Sequence, residues 1–156
     1  MTAGLFAAVF AAMYVAHQLA DHWVQTPRQA TDKGLPGWPG RLACARHVAT
    51  LTLTAAAALA AVALVTGAPV RPLPAVLGLA ANAVSHYAAD RRSPLLSLAE
   101  WLGATAIPGK EEFWRLGAPR PGRDDNPCLG TGAYALDQSW HIAWLFIAAL
   151  IIAGGA

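Results

Sequence analysis

Polar residues in this chain interrupt long apolar runs at a few regular places. Four runs dominate, over residues 3–25, 41–66, 73–92 and 134–153. Each is close to the ~20 residues an α-helix needs to cross a bilayer, so each is predicted to span a membrane. Pro27, the Gly- and Pro-rich stretch 34–40, Gly67 with Pro69, and Pro72 with Pro74 separate the runs, as helix breakers should. The third run is the most dilute. Small residues at Ala75, Gly78, Ala81, Asn82 and Ser85 predict a helix packed tightly between its neighbours. Between the third and fourth runs, Ser93-Pro94 forms an N-cap and first-turn pair ahead of Leu95, Leu98, Trp101 and Leu102 at helical spacing. That piece is predicted to lie along the interface. Residues 110–116 predict another short helical turn, and 119–132, rich in Pro, Gly and charge, a loop. The expected fold is all-α: one domain over 1–156, a polytopic four-helix transmembrane bundle with a short interfacial helix between helices three and four.

Within the runs, polar side chains recur at one-turn intervals. Residues four apart in a helix lie nearly above one another. His17, Asp21 and Gln25 therefore make one stripe, and Asn82, His86 and Asp90 a second. Asp137 and His141 make a third, with Tyr134 one turn earlier, and His47, Thr50 and Thr54 a milder one. Ionisable side chains are costly in lipid, so a set of them at one depth needs a reason. Four crossings put the C-terminal ends of the first and third helices on the same side as the N-terminal ends of the second and fourth. At ~1.5 Å rise per residue, all of these groups fall within about 12 Å of that boundary. An HxxxD ends the first helix of each half (His17 to Asp21, His86 to Asp90), and a histidine opens the second, at His47 and His141. Such spacing hints at an internal repeat.

Composition agrees with a membrane protein: 56% of residues are hydrophobic and 13% charged, against ~25% charged in an ordinary soluble protein. A net charge of +2 is too small, and its carriers too dispersed, to suggest a nucleic-acid partner, and none is expected. The basic residues are unevenly shared. Arg28, Lys33, Arg41 and Arg46 follow the first run, and Arg91, Arg92, Lys110, Arg115, Arg120 and Arg123 the third, whereas Arg71 stands alone on the other side. The positive-inside rule then puts both long loops in the cytoplasm and both termini outside. Residues 5–16 lack a preceding Lys or Arg and run on into His17, Asp21 and Trp23, so they read as a retained helix instead of a cleaved leader. Cys44 and Cys128 form neither a disulfide framework nor a thiolate metal site. Trp23, Trp38, Trp101, Trp114 and Trp140 read as interface anchors, Asp124-Asp125 as a solvated turn, and His22, off the stripe, as facing headgroups.

Imidazole nitrogen and carboxylate oxygen are ligands for Zn, Mn, Fe or Ni. The expected ligands are His17, Asp21, His47, His86, Asp90 and His141, enough for one or two divalent ions. Gln25, Asn82 and Gln138 would support them from behind, and Asp137 would orient His141 or activate water. Metal-assisted hydrolysis of an amphiphilic or membrane-associated substrate is the leading reading. Two others stay open: non-catalytic metal binding or ion passage, and an accessory protein whose polar residues merely pin helices together. Passage is disfavoured because the outer halves beyond Thr54 and Asn82 are almost wholly apolar. For Asp90 the plainer alternative is an ion pair with adjacent Arg91 or Arg92.

In order, the motifs HxxxDxxxQ (His17, Asp21, Gln25), a basic loop with Lys33, His47 at a helix start, SHxxxD (Ser85, His86, Asp90) and DQxxH (Asp137, Gln138, His141) span nearly the whole chain. This order resembles a widespread family of small bacterial integral membrane proteins classed only as a domain of unknown function. Leu51 stands one turn beyond His47, where the family has a second histidine. The resemblance implies a membrane fold but no activity. A looser similarity to membrane-bound metal-dependent hydrolases, in the placing of His and Asp near one face, supplies the expectation of hydrolysis.

Overall fold

The computed structural model describes residues 3–118 and 130–155, and the regular structure among them is helical throughout. Helix α1 (Ala3–Leu19) runs on into a π-helical turn, Ala20–Val24, closed by Gln25 N–H donating to Ala20 O five residues back at 2.8 Å. Such turns widen a helix locally and are frequent at functional sites. This one carries Asp21.

A short helix, α2 (Pro27–Asp32), follows where the sequence reading placed only a break. Its signal is a Thr-x-x-Gln capping box. Thr26 Oγ1 accepts from Gln29 N–H at 3.2 Å, and Gln29 Oε1 accepts from Thr26 N–H at 2.8 Å. Helix α3 (Gly37–Thr66) also starts earlier than the expected residue 41, inside the stretch read as a breaker. Gly37 turns the chain at φ 77°, and Pro39 sits in the first turn, where no N–H is required. Its thirty residues reach about 45 Å at ~1.5 Å each. Gly67, at φ 68°, ends α3 by donating to Ala63 O at 3.0 Å.

Helix α4 (Pro72–Asp90), α5 (Ser93–Thr105), α6 (Lys110–Arg115) and α7 (Gly132–Gly154) complete the order. The cap of α5 differs from expectation: Arg92 stands there without a side-chain bond, and Ser93 lies inside the first turn. Thr131 caps α7 by accepting from Tyr134 N–H at 3.1 Å. Arg120, Arg123, Asp124, Asp125 and Cys128 lie outside the described residues.

The four long helices pack as a ring. Helix α1 lies between α3 and α7, and α4 also lies between α3 and α7, so α1 faces α4 across the middle. Helices α4 and α7 approach closely because of Gly78, where a Cβ would come within 2.5 Å of Ile152 Cγ1 and 2.9 Å of Ala148 O. That is the role expected of the small-residue stripe. The apolar core gathers Leu5, Val9 and Met13 of α1, Leu59 of α3, and Leu145, Ala148 and Ile152 of α7. Phe146 meets Phe6 and Phe10 edge-on, at 5.3 and 6.3 Å.

Three segments are long and apolar enough to cross a membrane: Ala3–Val24, Gly37–Thr66 and Gly132–Gly154. Helix α4 falls short of that standard because it buries Asn82, Ser85, His86 and Asp90. Leu53, Leu64 and Val65 of α3 and Val84 of α4 point outward, an apolar surface suited to lipid.

Candidate metal centre

At the end of the ring opposite the apolar core, four imidazoles and three carboxylates meet. His17, His47, His86 and His141 come from four different helices, and none is more than 2% exposed. Ring packing, not local sequence, brings them together.

Asp21 stands among three of the rings. Its Oδ1 is 3.2 Å from His47 Nε2 and 3.8 Å from His86 Nε2, and its Oδ2 is 3.6 Å from His17 Nε2. Asp90 plays the matching part across the bundle. Its Oδ2 is 3.2 Å from His86 Nε2 and 3.4 Å from His47 Nε2, and its Oδ1 is 4.0 Å from His141 Nε2. Asp137 Oδ1 lies 3.4 Å from His141 Nε2. The two HxxxD motifs thus occupy facing helices of the ring, α1 and α4, and the two helix-opening histidines the other facing pair, α3 and α7.

Several of these atoms face one another without bonding. His17 Nδ1 and Nε2, Asp21 Oδ1, Asp90 Oδ2 and His141 Nε2 are buried with no hydrogen-bond partner. Apart from His17 Nδ1, each has a neighbour within ion-pair range that is too far away or wrongly directed for a hydrogen bond. Leaving a buried polar atom so costs about 1–3 kcal/mol. His47 Nε2 and His86 Nε2 approach to 3.1 Å, so only one of them can carry a proton in that contact. A cation among these atoms would satisfy several lone pairs at once. Three donor sets, each with atoms within 4.8 Å of one another, have the composition to hold one: His17, Asp21 and His86; His47, His86 and Asp90; and Asp90, Asp137 and His141.

The simple ion pair between Asp90 and its neighbouring arginines does not form. Lys33 reaches across from the end of α2, and its Nζ lies 2.7 Å from Asp90 Oδ1. Arg91 turns the other way and donates to Lys33 O and Leu35 O, both at 2.6 Å. That clamp fixes the connection between α2 and α3 against the end of α4, and holds Lys33 over Asp90. Adjacent residues at a helix end project in different directions, which is why the local pairing fails.

The remaining expected residues are distributed as follows. Gln138 Nε2 donates to Asp137 Oδ2 at 3.3 Å. Gln25 borders the site with its Nε2 buried and without a partner. Asn82 is buried one turn before His86, where its carbonyl accepts from Ser85 Oγ at 2.9 Å, and it belongs to none of the three sets. His22 is exposed, with Nδ1 2.9 Å from Gln18 O, and stays off the cluster. Cys44 is buried against Tyr87 O at 3.7 Å, outside the three sets. Trp140 Nε1 donates to Ser85 O at 3.3 Å, which ties α7 to the turn that carries His86.

Beside the cluster lies a cavity of about 570 Å³. Asp21, Asp90 and Asp137 border it, together with Lys33, Arg92, Trp114 and Tyr134. In the sequence nothing marks Arg92 as a wall residue, and Trp114 reads as a membrane anchor. No local pattern marks either, since Arg92 reaches the cavity from the turn before α5 and Trp114 from α6.

No protein-family model matches the chain, and no curated protein or solved structure matches it either.

Proposed function

We propose that this chain is a four-span integral membrane protein of the bacterial inner membrane, with its long loops cytoplasmic. Its His/Asp cluster would hold one or two divalent transition-metal ions and catalyse hydrolysis of an amphiphilic, membrane-associated substrate at that face. Membership of the small bacterial membrane-protein family that the motif order resembles belongs to the same proposal. The observation that carries it is the group of buried, unpartnered nitrogens and oxygens brought together by α1 with its π-helical turn, α4 and α7, with His47 of α3 among them, beside an open cavity.

Each residue then has a task. His17, Asp21, His47, His86, Asp90 and His141 supply ligand atoms. Lys33 fixes the rotamer of Asp90, as groups behind ligands commonly do. A divalent ion held by these residues would supply polarisation of an ester or phosphoryl oxygen and a lowered pKa for a nearby water. Asp137, partly open to the cavity, takes the proton from the attacking water and passes it to the leaving oxygen, so that one water is added across the cleaved bond. Gln138 holds the Asp137 carboxylate in place.

Ion passage is the weaker alternative. The far half of the ring is filled by Leu5, Val9, Met13, Leu145 and Ile152, with no polar path through them among the described core residues.

Elemental analysis of the membrane-extracted protein tests the proposal. We expect at least one equivalent of transition metal per chain, lost in the His86→Ala/Asp21→Ala double variant, together with ester or phosphoester hydrolysis abolished by chelation. A parent protein without metal, or a double variant that keeps it all, would sink the metal centre. Metal without turnover of any ester would leave a binding protein only.

A further inference from the structure

We propose that the cavity beside the metal centre recognises the phosphate group of a phosphoester, with Arg92 as its principal anion-binding residue and Lys33 as its second cation. This rests on the metal-centre reading above.

The backbone of Arg92 is the first reason. At φ 61° and ψ −46° it is the one non-glycine residue with positive φ among the described residues. Ser93 N–H donates to Arg91 O at 2.7 Å, which closes a three-residue γ-turn around it. Gamma-turns of this hand are rare and strained, and glycine relieves the strain. The chain places an arginine there instead, and strained residues cluster where ligands are gripped.

Its side chain is the second reason. The stem lies over Gly34, where a Cβ would come within 3.0 Å of Arg92 Cδ and Nε, so the absence of a side chain at 34 makes room for it. Arg92 borders the cavity, and among the described residues no carboxylate pairs with it. Lys33 bonds Asp90 with one N–H and has two further donors on the same wall.

Charge is the third. Asp21, Asp90 and Asp137 outnumber Lys33 and Arg92, so the cavity is acidic by itself and becomes cationic once a divalent ion is held. An anion is therefore welcome only in the loaded protein. A carboxylate has two oxygens and one charge, enough for the ion or for the arginine fork. Phosphate has oxygens for both, and the planar guanidinium matches two of them. Trp114 and Tyr134 provide walls for the group esterified to it, and the volume lies within the ~300–1,000 Å³ usual for small-molecule sites.

The phosphate could belong to a lipid or to a water-soluble ester, and two probes separate these. Inorganic phosphate, and dihexanoyl phosphatidic acid in mixed micelles, would each be titrated calorimetrically into the full, metal-loaded chain and into Arg92→Gly. Glycine relaxes the turn, so this variant should fold, melt higher and keep its full metal content. We expect its affinity for the bound probe to fall about tenfold or more, as loss of a charge-assisted bond implies. Arg92→Lys should recover part of that loss. Tighter binding of the phosphatidic acid assigns the site to lipid phosphate, and equal binding to soluble esters. If neither probe binds the loaded parent, or Arg92→Gly binds as tightly as the parent, the phosphate site is overturned and the metal centre still stands. A parent that holds no metal overturns both.

Discussion

Lys33 Nζ lies 2.7 Å from one oxygen of Asp90, while the other oxygen of that carboxylate faces His47 and His86 with no hydrogen bond. One end of Asp90 is thus neutralised by a distant lysine, and the other is left without a hydrogen bond among the imidazoles. Nearly buried, the pair is anchored by Arg91, which grips the two carbonyls flanking Gly34.

Lys33→Ala should therefore weaken metal binding without removing any ligand. Loss of such a supporting contact typically costs 10–100-fold in affinity, and chelator competition would measure it. Breaking a buried ion pair also costs about 3–5 kcal/mol, so the metal-free variant should melt well below the parent. Unchanged affinity in Lys33→Ala would mean that Asp90 is not a ligand.

Metal should stabilise the fold by an amount that grows with the logarithm of its free concentration above Kd. At free metal one hundred times Kd, the gain is about 2.7 kcal/mol if the unfolded chain does not bind. Thermal melts with and without a chelator would read this. His86→Ala/Asp21→Ala should show no difference between the two conditions.

Asp137→Asn should separate binding from turnover. The side chain keeps its size and its contact with His141, but no longer accepts a proton. We expect near-normal metal content with hydrolysis reduced roughly 10²–10⁴-fold, the usual contribution of a positioned general base. A parallel collapse in metal content would make Asp137 a ligand before it is a base.

Helix α4 decides how many times the chain crosses. With Cys44 and Cys128 replaced by serine, Arg71→Cys and Glu100→Cys would each be labelled by an impermeant maleimide on intact spheroplasts. Four crossings make the first reactive from outside and the second only after lysis. Equal labelling of both from one side would show that α4 does not span.

Gly78→Val tests the seam between α4 and α7. Its side chain would meet Ile152 and the Ala148 carbonyl, where there is no room even for a Cβ. Overpacking of this kind costs about 1–3 kcal/mol. The displaced α4 should also lose part of its metal affinity, because His86 and Asp90 ride on it.

Much of this arrangement was readable before the coordinates. One-turn spacing put His17 with Asp21 and His86 with Asp90, and alternating helix direction predicted that both would meet His47 and His141. Periodicity carries that kind of information. It carries none about residues brought in by connections: Lys33 on Asp90, Arg91 on its carbonyls and Arg92 in its γ-turn all depend on how α2 and α5 dock. Helix α2 itself was signalled by Thr26 and Gln29, but Pro27 between them was read as a stop when it stands in a first turn. The start of α3 was missed for the same reason at Pro39. Reading α4 as a membrane span depends on its neighbours shielding it, and hydropathy scores each helix as if it stood alone.

His86 serves two of the three donor sets, and its Nε2 lies near both Asp21 Oδ1, at 3.8 Å, and Asp90 Oδ2, at 3.2 Å, whereas Asp90 turns Oδ2 to His86 and its Lys33-bound Oδ1 to His141. An imidazole nitrogen engages one cation at a time, so this ring must choose between the Asp21 side and the Asp90 side. In the first choice, a pair of cations would sit apart and share no protein atom. In the second, they would be neighbours bridged by one carboxylate. If two cations were held, a small rotation of one side chain would thereby set the spacing of the pair, and with it whether a single solvent molecule could touch both.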